Sequence, residues 1–99
     1  MSAFTVEPVY HRALGPLLRL TVGNGSTLDL TLSEASILSR ALSAVREGRS
    51  PERTIFMSPI ASDGDFTATV DADGLALGDG GPRLSWPEVE RLAQALAGD

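Results

Sequence analysis

Leu17-Leu18-Arg19-Leu20-Thr21-Val22-Gly23-Asn24-Gly25-Ser26-Thr27-Leu28-Asp29-Leu30-Thr31-Leu32 reads as a β-hairpin, with apolar and polar residues alternating on both sides of a glycine-rich turn. An Asn-Gly pair ordinarily marks a two-residue turn. Here that turn would place Leu20 and Leu28 on opposite faces. A three-residue loop, Gly23-Asn24-Gly25, instead pairs Leu20 with Leu28 and Leu18 with Leu30. The odd-length loop, with Gly25 left-handed, is therefore expected.

Upstream, Phe4 to Tyr10 also alternates, with Phe4, Val6 and Tyr10 on one face. Pro8 lacks an N–H for a ladder, so this segment is expected at a sheet edge. Downstream, Ser33 is the expected cap of a helix, with Glu34 in its first turn. The expected buried stripe is Ile37, Leu38, Ala41, Leu42 and Val45, with Leu32 and Ile37 as a hydrophobic staple and Gly48 ending the helix.

The second half has a similar layout. Arg53 to Ile60, Phe66 to Asp71 and Leu75 to Gly78 read as strands. Ala61 to Asp65 forms a loop and Asp73-Gly74 a tight turn. A five-residue loop pairs Ile60 with Phe66 and Phe56 with Val70, and the turn pairs Val70 with Leu77. One face then carries Phe56, Ile60, Phe66, Val70, Leu75 and Leu77. Ser85-Trp86-Pro87-Glu88 is a capping-box pattern opening a second helix, whose stripe is Val89, Leu92, Ala93 and Leu96, with Trp86 covering one end of the core.

The expected fold is thus α+β, one domain over residues 1–99. It consists of a single antiparallel sheet with both helices on one face, in the order βββα-βββα. The order is consistent with a diverged internal repeat. A chain of 99 residues, 42% apolar, can bury a core without staples, and it has no cysteine, so thiol chemistry and disulfides are excluded. No apolar run approaches the roughly 18 residues of a membrane helix, and Met1 to Pro8 does not read as a signal peptide. A cytoplasmic protein with no membrane partner is expected. All eight basic residues are arginine, a bias expected of a GC-rich bacterial genome.

Chemistry is sparse. His11 is the only histidine, and no Gly-x-Ser-x-Gly elbow accompanies it. Ser62-Asp63-Gly64-Asp65 and Asp71-Ala72-Asp73-Gly74 lack the spacing of a calcium loop and read as turns. Gly78-Asp79-Gly80-Gly81 lacks the lysine of a phosphate loop, and Asp79 would repel phosphate. No catalytic residue, metal site or cofactor is expected, and the chain reads as a non-enzyme.

One apolar feature stands out. With Phe56 and Ile60 assigned to the helix side, Ile55, Met57 and Pro59 fall on an uncovered face. They are the candidate protein-contact residues of a small interaction or regulatory protein, with a second copy as the simplest partner. The alternative is single-stranded nucleic-acid binding. In element order, though in no motif, the chain is similar in outline to the Whirly and positive cofactor 4 families, which would imply a sheet that grips DNA. The charge argues against it: residues 1–50 carry five arginines against four acids, and residues 51–99 carry three against nine.

Overall fold

The structure, a computed structural model, describes residues 4–22, 27–51, 53–61, 65–77 and 83–97. Strands β1 (Phe4–His11), β2 (Gly15–Val22) and β3 (Thr27–Thr31) precede helix α1 (Leu32–Arg46). Strands β4 (Thr54–Met57), β5 (Phe66–Asp71), β6 (Gly74–Leu77) and β7 (Arg83–Ser85) precede helix α2 (Trp86–Leu96).

The strands form two antiparallel sheets, β1-β2-β3 and β4-β5-β6-β7. The chain is α+β, but the expected single sheet in the order βββα-βββα is corrected. Alternation along a strand specifies which side chains face inward, not which strand edges meet. Here β3 passes directly into α1, whose 15 residues rise about 1.5 Å each and carry the chain away from the first sheet. β7, only three residues after a glycine-rich stretch, gives too short a pattern to read and supplies the fourth strand of the second sheet.

The helices join the sheets. Leu20 and Leu30 from the first sheet and Ile55, Phe66, Leu75 and Leu84 from the second share one buried cluster with Leu38, Leu42, Val89 and Leu92 of the helices. α1 packs on β2, β3 and β4, and α2 packs on β1, β6 and β7, so each helix touches both sheets. Ser39 Oγ donates to the Ala93 carbonyl at 2.6 Å where the helices cross. Arg46 meets Glu90 at 3.3 Å further along, so α1 advances as α2 recedes and the pair is antiparallel. No helix among the described residues is long and apolar enough to cross a membrane.

The cap of α1 lies two residues before the expected Ser33. Thr31 Oγ1 accepts from Glu34 N at 3.1 Å and Thr31 N donates to Glu34 Oε1 at 2.9 Å, a complete capping box. Thr31-x-x-Glu34 has the spacing that Ser33 lacks, since position 36 is serine. The staple is therefore Leu30 with Ala35, both buried. The stripe becomes Ala35, Leu38, Ser39, Leu42 and Val45, leaving Ile37 49% exposed and Ala41 partly buried. α2 starts at the expected cap, with Ser85 N donating to Glu88 Oε1 at 2.9 Å and Val89, Leu92, Ala93 and Leu96 buried.

Register explains the remaining differences. The first hairpin pairs Leu20 with Leu28 and Leu18 with Leu30, as the pattern requires; its turn lies outside the described residues. β5 pairs with β6 through a turn at Ala72-Asp73, one residue earlier than expected, so Val70 faces Leu75 rather than Leu77. Asp71 Oδ1 selects that turn by accepting from Asp73 N at 2.8 Å and Gly74 N at 3.1 Å. Gly74 has φ +149°, and a Cβ there would overlap the Leu84 carbonyl oxygen of β7.

Three carboxyls are held below their ordinary pKa by these contacts. Asp29 is lowered by its hydrogen bond to Arg19, Asp71 by Arg83 and then the Asp73 amide, and Glu88 by the Ser85 amide and hydroxyl.

Truncation in the stripes should be costly. Leu42→Ala and Leu92→Ala should each lose roughly 2–5 kcal/mol in urea unfolding, while Ile37→Ala should cost less than about 1 kcal/mol. Gly74→Ala should cost at least about 2 kcal/mol, because it combines a disfavoured φ with overlap against backbone. The depressed carboxyls bind protons more tightly when unfolded. The stability they contribute is therefore present above the unfolded pKa, near 4, and is lost as pH falls through the lower folded values. Melting temperature should accordingly drop as pH falls below about 4, and Asp29→Asn should flatten part of that drop.

Candidate functional site

Sequence patterning points to β4, and the structure inverts its faces. Met57 pairs with Phe66, Phe56 with Thr67 and Ile55 with Ala68. The expected pairing of Ile60 with Phe66 and Phe56 with Val70 is displaced by three residues, and an odd displacement exchanges the faces. In the observed register Pro59 has no N–H to extend the ladder, so β4 ends at Met57 instead of reaching Ile60. Ser58 Oγ donates to Asp65 Oδ1 at 2.8 Å beyond the strand end.

Ile55, Met57 and Pro59, expected on the open face, therefore lie inward. Ile55 is 7% exposed and belongs to the core, Met57 packs against it partly buried, and Pro59 is buried. Phe56 and Ile60, expected in the core, are 63% and 74% exposed. Phe56 shares the outer face of its sheet with exposed Thr54, Thr67 and Thr69.

Glu34 fixes the position of Ile60. One carboxylate oxygen completes the α1 cap, and the other accepts from Ile60 N at 3.0 Å. A single side chain thus ties the helix start to the segment following β4. Ile37 lies three residues after Glu34, on the same flank of α1, and is half exposed. The signal available in the sequence was the capping box at Thr31; the link from Glu34 to Ile60 spans 26 positions and had none.

Other candidate groups have local roles. His11 Nδ1 accepts from Ala13 N at 3.0 Å and Leu14 N at 3.1 Å, shaping the turn between β1 and β2. Asp71, besides its turn amides, takes Arg83 Nη1 at 2.7 Å, so this carboxylate is the centre of a hairpin contact. Residues 62–64 and 78–81, the other acidic and glycine-rich loops, lie outside the described residues. Among the described residues no group of three or more His, Asp or Glu side chains could hold a metal ion.

Several arginines are paired with carboxylates of the chain. Arg19 lies against Asp29 at 2.8 Å, Arg46 against Glu90, Arg49 against Glu47 at 2.9 Å and Arg83 against Asp71. Half of the eight arginines are thus matched to carboxylates of the same molecule. The cleft between α1 and α2 is lined by Ser39, Ser43, Arg46, Glu90 and Gln94, and that beside β5 by Ser50, Pro51, Arg53, Val70 and Asp71. In neither cleft does the lining include a histidine.

Compared with known proteins, the chain matches no family model, no curated protein and no solved structure.

Proposed function

We propose that this chain is a non-enzymatic interaction protein whose contact face is built on the outer side of β4 and the adjoining start of α1. The observation that carries this reading is the outward placement of Phe56 and Ile60, both more than half exposed. Burying a side chain of this kind contributes roughly 1.5–3 kcal/mol, so a partner covering both gains substantially. The Glu34 bridge supports it, because a contact residue held by a hydrogen bond at its own amide loses little freedom on binding. The occupant is another protein, since the surrounding Thr54, Thr67 and Thr69 form an uncharged rim.

The arginine pairing described above weighs against the nucleic-acid alternative, because a carboxylate beside each guanidinium offsets its attraction for a phosphate.

Substitutions on the two faces of β4 provide the test. Phe56→Ser and Ile60→Ser should leave the melting temperature within a few degrees of wild type and abolish capture of a specific partner from the native cell. Ile55→Asp, on the opposite face, should unfold the chain, because it buries a charge in the core. A partner retained by both serine variants would remove β4 as the contact face. Unfolding of Phe56→Ser would show that its side chain is structural.

A further inference from the structure

The pairing registers make β1-β2-β3-α1 and β5-β6-β7-α2 equivalent, strand for strand. Counting from the capping boxes, Thr31 corresponds to Ser85 and Glu34 to Glu88. Crossing the ladders, Leu30 pairs with Leu18 and Leu18 with Pro8 in the first sheet, and Leu84 pairs with Leu75 and Leu75 with Val70 in the second. Pro8 therefore corresponds to Val70, and Phe4-Thr5 to Phe66-Thr67. Phe4 and Phe66 are both buried in the core. The Ser39–Ala93 contact joins equivalent positions of the two helices. β4 has no counterpart: in the second sheet it covers the outer edge of β5, while in the first sheet β1 is itself the edge.

The second sheet thus shows what the first can accept. Val70 N donates to the Arg53 carbonyl at 2.8 Å, just before β4 begins. Along a strand, the polar groups of alternate residues point to the same edge, so Phe66, Ala68 and Val70 face β4. Their equivalents Phe4, Val6 and Pro8 face outward from β1. This accounts for the tolerance of Pro8, whose missing N–H costs no bond to β2. Among the described residues it also leaves Phe4 and Val6 as an unpaired edge over the four residues whose counterparts carry β4.

We propose that the outer edge of β1, over Phe4–Glu7, is a strand-addition site for an extended segment of a partner protein with apolar residues at alternate positions, as Ile55 and Met57 are in β4. Pro8 limits the docked strand to this length by removing the donor that Val70 supplies. A second copy cannot lend its β4 to this edge without uncovering its own core, in which Ile55 is buried. Backbone pairing supplies the affinity of such sites and the alternating side chains supply selectivity. The site is separate from the Phe56–Ile60 face and does not depend on it.

The probe is a synthetic peptide with the sequence of residues 53–58, titrated into the isotope-labelled full chain. Saturable shifts are expected at the amides of Phe4–Glu7, and they should vanish when alternate peptide amides are N-methylated, a change that cannot disturb folding of the protein. Pro8→Val should tighten binding several-fold by restoring the missing donor. Phe56→Ser and Ile60→Ser should leave binding unchanged, which separates this site from the contact face on β4. Unmoved β1 amides in both wild type and Pro8→Val would overturn the assignment. Concentration-dependent self-association that protects the same amides would make a second copy the occupant and would equally overturn it.

Discussion

Where α1 crosses α2, the buried Ser39 hydroxyl donates to the Ala93 carbonyl, and the two helices meet through a serine and an alanine. Small side chains at the crossing allow close approach, and the hydroxyl finds its acceptor across the interface, so it is not buried unsatisfied. Much depends on this contact, because among the described residues no ladder hydrogen bond joins the two sheets. They form one body only because each helix packs against both and all contribute to one apolar cluster. Were the helices to separate, each sheet would expose an inner face that has no other cover.

Helix entry is the second constraint. Both helices begin at the last residue of a strand, Thr31 or Ser85, with a glutamate three residues on closing the capping box. Leu30 and Leu84, the residues just before the caps, are buried strand residues and staple partners at once. Strand register and helix orientation are therefore fixed by the same two residues in each half. Glu34 extends this control further by also holding the amide of Ile60, so that exposed residue is anchored to the start of α1.

Proline shapes the surface at both edges where it occurs in or beside a strand. Pro59 ends β4 in the register that turns Phe56 and Ile60 outward. Pro8 sits in β1 at the position where its equivalent in β5 donates to the chain entering β4. One proline bounds β4, and the other withholds a donor from the outer edge of β1.

The sequence by itself determined both helices, the first hairpin and much of the core, but not β7 or the faces of β4. The alternation of Leu18, Leu20, Leu28 and Leu30 sufficed for the first hairpin's register, because both strands and their turn are contiguous. Ser85, Glu88 and the stripe of α2 were legible for the same reason: capping and helical periodicity act within a few residues. The cap of α1 was also written locally, in Thr31 and Glu34, although Ser33 competed for it. Only the tertiary structure decided that two sheets form rather than one, since the edges that pair depend on where a 15-residue helix delivers the chain. It alone decided the faces of β4, where three consecutive apolar residues, Ile55, Phe56 and Met57, fit either parity. Its pairing with β5 broke the tie. Ser39 carries no stripe signal in the sequence, because its acceptor, Ala93, lies 54 positions away. Local chemistry is readable wherever the partners are neighbours in the chain; edge pairing, strand parity across a long loop and buried hydroxyls depend on partners that only the folded chain brings together.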